Sequence, residues 1–244
     1  MERLDKLLSS RTAFSRKEIK EAVKTGKISV NEKCIKDASV KVSENDRIYL
    51  NGEELFLPKH IYLMMNKPAG LVSATRDSKE KTVMDLIPKE YLRPGLFPAG
   101  RLDKDTEGFL LITDDGEFAH RILSPQKHIS KSYELIAEHP ILDDDILKLE
   151  NEMELEDGTK LQKAKVNLLD DNDRTHIEII ICEGKYHQIK RMLAAINNSL
   201  ISLKRTKMGN LPLDSDLKSG RCRILTPEEI QNIEGEKSIS DFDQ

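Results

Sequence analysis

The periodicity of apolar residues changes near residue 58, and this change constrains the fold more than any other feature. Before it, two short helical patterns precede short β-type runs that end at the turn pair Asn51-Gly52. After it, strand and helix patterns alternate irregularly. We therefore expect an α+β protein with a small domain over residues 1–57, a larger domain over 58–232, and an acidic, disordered tail over 233–244.

Residues 15–26 contain the clearest local helix signal of the N-terminal domain. Ser15 and Glu18 have the spacing of a capping box, and Gly26 is a typical stop. Off the apolar stripe lies a cationic ridge at spacings that suit a phosphate backbone: Arg16, Lys20, Lys24 and Lys27. By itself such a ridge is more typical of a solvated helix face than of an RNA contact.

The net charge of −4 hides a segregation of charge along the chain. Residues 141–157 carry −7 and residues 227–244 carry −5, so the remainder carries +8. A basic surface is therefore available to a polyanion. This balance permits an RNA or DNA partner without establishing one.

Neither a membrane segment nor a disulfide framework is expected. No run approaches the roughly 18 apolar residues of a membrane helix, and the opening MERLDKLLSSR is too charged for a secretory signal. Cys34, Cys182 and Cys222 are odd in number and far apart, which argues against disulfides and zinc. We therefore expect a cytoplasmic protein.

The segment between Gly100 and Gly108 is the most unusual part of the larger domain. It reads GRLDKDTEG and leads into FLLIT, which predicts a strand. A calcium loop would use Asp103 with Asp114 at the twelfth position, but the prolines and glycines of PGLFPAGRL exclude the helix that should precede it. An exposed β-turn is a second interpretation, and it would require no specific role for these acidic residues. The third interpretation is a catalytic carboxylate at Asp103, kept ionised by a neighbouring cation.

A candidate cation lies in a second segment, which reads EGKYHQIKRMLAAIN. Its apolar residues recur at i, i+3, i+4 and i+7, which predicts an amphipathic helix opening just after Gly184. Lys190 and Arg191 point away from that stripe. Spacing alone cannot bring either of them to Asp103, and solvated charge remains the alternative.

The N-terminal residues also resemble a known RNA-binding module. The stretch LDKLLSSRTAFSRKEIKEAVKTGKISVNEKCIKDASVKVSENDRI is similar to the small domain named after ribosomal protein S4. The similarity covers most of residues 1–50. It implies that the ridge formed by Arg16, Lys20, Lys24 and Lys27 contacts structured RNA.

Two segments of the larger domain resemble the RsuA family of ribosomal small-subunit pseudouridine synthases. They read AGRLDKDTEGFLLITDDGEFAHRILSP and EGKYHQIKRMLAAINNSLISLKRTKMGN. The similarity runs from Leu4 to LTPEEI near residue 230. It implies an S4-like domain followed by a catalytic domain built on a mixed, largely antiparallel sheet with flanking helices. It also implies chemistry without a metal or organic cofactor.

The resemblance implies roles for Asp103, Lys190, Tyr133 and Arg101. Asp103 would be the catalytic aspartate, and Lys190 would pair with it. Tyr133 of KSYEL would stack on the target base, with ordinary strand packing as the alternative. Arg101 would position the flipped nucleotide or its phosphate. Arg191 would bind RNA phosphates, although it remains the alternative partner of the aspartate.

The function implied is isomerisation of one uridine in 16S ribosomal RNA, by a monomer acting on that RNA or on a small-subunit assembly intermediate. Asp103 would act either as a nucleophile or as a base. Two alternatives remain open. The first is a synthase for large-subunit RNA, and the second is a non-catalytic RNA-binding assembly factor with the same fold.

Overall fold

The computed structural model describes residues 1–124, 127 and 129–235. The chain divides into two compact units, Met1–Ile61 with Ile87–Leu96, and Tyr62–Leu86 with the residues from Phe97 onward. The sequence pattern did not indicate that residues 87–96 belong with the N-terminal residues. The expected domain limits of 1–57 and 58–232 stay predictions.

The first unit contains two helices and six short strands. In chain order they are β1 (Glu2–Arg3), α1 (Leu4–Arg11), α2 (Arg16–Lys24), β2 (Ile28–Val30), β3 (Lys33–Cys34), β4 (Lys41–Val42), β5 (Ile48–Leu50) and β6 (Glu53–Glu54). The antiparallel order β3-β2-β5-β6 forms one sheet, and β1 pairs with β4. A 3-10 helix over Lys89–Tyr91 also belongs to this unit.

Helix α2 begins where the capping box predicts. The Glu18 amide donates to the Ser15 hydroxyl, and the Ser15 amide donates to the Glu18 carboxylate at 2.7 Å. Ile19 and Val23 are buried against α1, β2 and β5 in the core of the unit. Burial of this apolar stripe holds α2 in place, so its basic residues are left on the solvent side.

In its described residues, the second unit contains eleven strands, four α-helices and a 3-10 helix over Val83–Leu86. In chain order the strands and α-helices are β7 (Tyr62–Lys67), β8 (Phe97–Ala99), β9 (Glu107–Thr113), α3 (Gly116–Leu123), β10 (Lys131–Ala137), α4 (Asp143–Glu150), β11 (Met153–Glu154), β12 (Lys160–Leu161), β13 (Lys165–Leu168), β14 (His176–Ile181), α5 (Gln188–Ala195), β15 (Leu200–Met208), β16 (Leu211–Pro212), β17 (Cys222–Ile224) and α6 (Pro227–Glu234).

A single large sheet organises this unit and confirms the expected mixed, largely antiparallel topology. Its central order is β13-β14-β10-β15-β9-β7-β17, with β8 paired to β9 and β16 paired to β15. Every one of these pairs is antiparallel except β15 and β9, which run parallel. Phe118 and Ile122 of α3 pack with Phe109 and Leu111 of β9 in one apolar core. The loop before β9 is thus attached to the middle of the sheet.

The last described helix extends past residue 233, where the tail was expected to start. Helix α6 has a capping box between Thr226 and Glu229, and its Ile233 is completely buried. Residues 233 and 234 therefore belong to a helix, and the penultimate residue of that helix reaches the core. The remaining tail residues, 236–244, lie outside the described residues.

The described helices are all short. The longest, α2, has nine residues. Within the described parts of the chain, no helix has the length and apolar character needed to cross a bilayer.

Candidate active site

The loop from Gly100 to Glu107 connects β8 to β9, two strands that pair with each other. Its turn is closed by a hydrogen bond from the Thr106 amide to the Asp103 carbonyl at 3.1 Å. Beside it, the buried hydroxyl of Ser73 donates to the Leu102 carbonyl at 2.8 Å and accepts from the Leu102 amide at 3.1 Å. Asp103 is therefore held on a fixed backbone, with its side chain about one third exposed.

Lys67 anchors the same loop from inside the protein. Its side chain is fully buried, and its ammonium donates to the carbonyls of Pro68, Lys104 and Thr106 at 3.0, 3.2 and 2.8 Å. Burial lowers the pKa of Lys67 to about 8, and the carboxylates of the loop oppose that shift. Lys67 was not among the residues predicted from the sequence, although a lysine two residues after the apolar run YLMM was a usable signal.

Gly108 lets the loop enter the sheet. It lies opposite Arg205 in the parallel pair of β9 and β15 and has φ of +97°. A Cβ atom at Gly108 would lie 2.2 Å from the Arg205 carbonyl oxygen. Only glycine fits this close approach of two backbones.

Tyr133 lies on β10 and is 7% exposed. The guanidinium carbon of Arg205 lies 5.9 Å from the centre of its ring, and Nη1 donates to its hydroxyl at 3.4 Å. Arg205 is itself buried and donates from Nε to the Phe109 carbonyl at 2.7 Å. Its Nη2 has no hydrogen-bond partner among the described residues. The sequence analysis missed Arg205 because nothing in LKRTKM distinguishes it from its exposed neighbours.

The first turn of α5 supplies the cation, but its closest contact differs from the expected one. Nζ of Lys190 lies 2.8 and 2.7 Å from the two carboxylate oxygens of Asp105 and 3.8 Å from Oδ2 of Asp103. The hydrogen bond from Lys190 holds the pKa of the Asp105 carboxyl below its usual value. His187, which precedes the helix, places Nε2 3.7 Å from Oδ1 of Asp103. Lys190 is therefore shared between two carboxylates.

Helix α5 also begins later than the sequence analysis expected. Residues 185–188 form a turn, closed by the Gln188 amide on the Lys185 carbonyl, and the helix starts at Gln188. His187 adopts a left-handed conformation with φ of +48° at this junction. The buried Gln188 donates to Glu183 at 2.9 Å, which ties the start of the helix to the end of β14.

Arg191 is directed away from Asp103. Its guanidinium is paired with Asp157 at 2.5 Å and with the Thr159 hydroxyl at 3.3 Å. It lines a different cavity, with Ala194, Ala195 and residues 155–157. Arg191 therefore does not replace Lys190 beside the aspartate, since the acidic segment binds its charge.

Four of the residues predicted from the sequence line one small cavity of about 70 Å³: Arg101, Asp103, Tyr133 and Lys190. This cavity shares several wall residues with a wider one of about 880 Å³. A buried aromatic ring, a carboxylate and two cations thus converge on a cavity that is open to a larger groove. Among the described residues, no group of three or more His, Cys, Asp or Glu side chains is arranged to hold a metal ion.

The predicted RNA-binding residues of the first unit are all exposed. Arg16, Lys20 and Lys24 recur at four-residue spacing along α2, and Lys27 follows its end. They form one basic surface, which we call the α2 ridge. Nothing in the core of the unit requires these four charges, since the apolar face of α2 is on the opposite side.

The chain is similar to known RNA-modifying enzymes over nearly its whole length. Residues 61–195 match the model of the RNA pseudouridylate synthase family, and residues 2–48 match the S4 domain model. A crystal structure of a pseudouridylate synthase superposes with a TM-score of 0.66 at 33% identity. It covers 96% of this chain and 100% of that one.

Three relatives also match this chain over nearly its whole length. An uncharacterised RNA pseudouridine synthase of Bacillus subtilis (strain 168) is 46% identical over 93% of this chain and 96% of that protein. Ribosomal small subunit pseudouridine synthase A of Escherichia coli (strain K12) is 35% identical over 95% and 99%. Ribosomal large subunit pseudouridine synthase B of B. subtilis is 37% identical over 96% of both. The chain therefore belongs to the RNA pseudouridylate synthase family, whose enzymes isomerise uridine in RNA, and it carries an S4 domain at its N-terminus.

Proposed function

We propose that this chain isomerises a specific uridine of small-subunit (16S) ribosomal RNA, and that Asp103 is its catalytic carboxylate. The observation that carries the proposal is the convergence of Arg101, Asp103, Tyr133 and Lys190 on one cavity. These residues come from a loop, a strand and a helix that are far apart in sequence. Packing alone gives no reason for a carboxylate, two cations and an aromatic ring to meet there.

A uridine inside folded RNA presents neither face to a side chain, so it must leave the stack at a cost of a few kcal/mol. The ring of Tyr133 lines the cavity and offers a surface that offsets part of that cost. Arg205 supports the ring from the protein interior and orients its hydroxyl. Arg101 is exposed on the cavity wall, where its guanidinium suits a phosphate of the flipped nucleotide.

The reaction conserves every atom of the nucleotide. The bond from ribose C1′ to uracil N1 breaks, the ring turns, and C1′ bonds to C5. The proton on C5 is lost and N1 gains one, so neither water nor a redox partner is consumed. Asp103 would act either by attacking the sugar or the base, or by removing a proton from the ribose. A primary isotope effect with uridine deuterated in the ribose would favour the second role.

Lys190 is suited to balancing the negative charge of this site. Its ammonium lies within 4 Å of both Asp103 and Asp105. Its hydrogen bond lowers the pKa of the Asp105 carboxyl. For Asp103 the same ammonium is a nearby positive charge without a hydrogen bond that would occupy its lone pairs.

Ribosomal RNA is the substrate that fits the rest of the chain. The exposed α2 ridge lies in an S4 domain and supports a contact with structured RNA. We propose that the enzyme acts as a monomer on 16S RNA or on a small-subunit assembly intermediate. The segment EGKYHQIKRMLAAIN, which resembles the small-subunit branch, favours 16S RNA. Large-subunit RNA is the second candidate, because a relative of similar identity carries that name.

Pseudouridine mapping of 16S and 23S RNA tests the proposal. Cells lacking the protein should lose one 16S modification, and the wild-type gene should restore it, whereas Asp103→Asn should not. Loss of a 23S site instead would assign the enzyme to the large subunit. Unchanged maps in both RNAs, in cells without a redundant enzyme, would leave only the assembly-factor alternative.

A further inference from the structure

Tyr186 and His187 form a stacked aromatic pair beside the candidate active site. Their ring centres lie 3.8 Å apart and their planes differ by 20°. The Tyr186 residue is 76% exposed, whereas His187 is only partly exposed. Tyr186 therefore presents most of its ring to solvent, where a base could stack on it.

The pair is held in place by the turn that precedes α5. His187 occupies the left-handed region at the helix start, and its carbonyl accepts the first helical hydrogen bond, from the Arg191 amide at 3.0 Å. The Lys185 amide donates to the side chain of the buried Gln188 at 2.9 Å. This double attachment fixes the backbone on both sides of Tyr186. The stacking surface is therefore formed before any ligand arrives, which lowers the entropy cost of binding.

The stacked pair of Tyr186 and His187 also lies beside Asp103, the proposed catalytic carboxylate. Nε2 of His187 is 3.7 Å from Asp103, and both aromatic residues line the 880 Å³ groove that adjoins the small cavity. The groove has four cationic residues in its wall: Arg101, Lys104, Lys185 and Lys190. Of these, Arg101 alone forms no ion pair with another described residue. An exposed ring that shares a groove with an uncommitted guanidinium matches a base with its phosphate.

The two aromatic surfaces differ in depth. Tyr133 is buried and lines only the small cavity, whereas Tyr186 is exposed and lines only the wider groove. The two rings therefore offer stacking surfaces for two different bases. We propose that Tyr186, backed by His187, is a stacking subsite for a nucleotide that flanks the target uridine. The subsite rests on the proposed function, because it positions the RNA for reaction at Asp103 and selects its local sequence or shape.

Fluorescence offers a direct test, because the chain contains no tryptophan. Tyr186→Trp places a single reporter on the subsite, and Leu147→Trp places one on the exposed face of α4, outside both cavities. The probe is a transcript spanning the uridine that the wild-type enzyme modifies. Binding should quench Tyr186→Trp and leave Leu147→Trp unchanged. The quenching should disappear when the flanking nucleotide on one side is replaced by an abasic residue.

Kinetics supply the second test. Stacking of one base contributes roughly 1–3 kcal/mol, so Tyr186→Ala should raise KM by roughly five-fold or more, with the loss falling on KM rather than kcat. Tyr186→Phe keeps the ring and should lose little of that affinity. On the abasic transcript the wild type and Tyr186→Ala should become equivalent, which a merely structural role of Tyr186 would not produce.

Equal KM values for wild type and Tyr186→Ala on the intact transcript would overturn the subsite, as would an undiminished Tyr186→Ala penalty on every abasic transcript. Either result leaves the proposed function standing if the wild type is active. A wild type that modifies no ribosomal uridine would instead refute the proposed function.

Discussion

Nζ of Lys190 lies 2.7 Å from Asp105 but 3.8 Å from Asp103, so the hydrogen-bonded partner of the lysine is not the residue we assign to catalysis. This arrangement leaves the Asp103 carboxylate close to a positive charge with its oxygens available to substrate. Asp105 holds the lysine in position and is the more exposed of the two acids.

Removing the ammonium is expected to slow turnover. Lys190→Met keeps most of the side-chain volume and should lower kcat at least ten-fold, about 1.4 kcal/mol. The pKa of Asp105 should rise toward its usual value, because its hydrogen-bond donor is lost. Rate measurements and an NMR titration of Asp105 check the two effects. Arg191→Met is the matched control, since Arg191 pairs with Asp157, and it should change kcat far less. A larger kcat loss in Arg191→Met would contradict the assignment.

Asp103→Asn should abolish isomerisation and leave the fold and the RNA affinity nearly intact. The amide preserves size but removes charge and basicity, and the partly exposed side chain makes no buried hydrogen bond that the change would break among the described residues. Single-turnover assays, thermal unfolding and RNA gel shifts measure the three properties. Asp105→Asn is the control, and it should retain measurable activity. If Asp103→Asn unfolds the protein, Asp103 has a structural role instead.

Gly108→Ala should destabilise the second unit by at least about 2 kcal/mol, because the new Cβ would collide with the Arg205 carbonyl at 2.2 Å. Gly158 also has a positive φ, of +79°, but a Cβ there would meet nothing within 4 Å. Gly158→Ala therefore isolates the backbone strain of about 1–2 kcal/mol. Urea unfolding of both variants gives the comparison. Equal losses of unfolding free energy in the two variants would mean that the sheet opens at Gly108 to accept the methyl group.

Lys67 should make stability depend on pH in the alkaline range. Its folded pKa of about 8 lies below its usual value of 10.5. Below pH 8, Lys67 is protonated in both the folded and the unfolded state, so the folded protein bears the cost of a buried ammonium. Between pH 8 and 10.5, Lys67 keeps its proton in the unfolded state but has lost it in the folded state. The Lys67 contribution to the free energy of unfolding then rises by up to about 1.4 kcal/mol per pH unit.

Urea unfolding of the wild type and Lys67→Met across this range measures the contribution. The difference between them should move in favour of the wild type from about pH 8 upward and stay constant below it. An NMR titration of Lys67 in the wild type reads the same pKa without a variant. A Lys67 that titrates near its usual value would contradict the expectation.

The α2 ridge should determine much of the salt dependence of RNA binding. Lys20→Gln and Lys24→Gln each remove one exposed charge and should reduce the slope of log K against log salt by roughly one. Lys148→Gln, on the acidic helix α4, is the control and should leave the slope unchanged. Filter binding of 16S RNA at several salt concentrations provides the slopes. Identical slopes in all variants would mean that the RNA contacts a surface other than the α2 ridge.

Several elements could be predicted from the sequence because their signals are local. The capping box of Ser15 and Glu18 starts α2 where expected, and the FLLIT run forms β9. The apolar stripe of α5 is buried through Ile189 and Met192. In each case the residues that decide the element lie within a turn or two of one another, so periodicity and caps were sufficient.

The candidate site depended on tertiary structure, because its contacts join distant strands and helices. Local spacing cannot show that Lys190 reaches Asp105, 85 residues away, or that Arg191 turns to Asp157. The same holds for two buried cations. Lys67 and Arg205 look like ordinary surface charges in sequence, yet the pairing of β7, β9 and β15 brings them to the loop and to the aromatic ring. Local sequence determined which elements form, and the sheet register decided which charges meet.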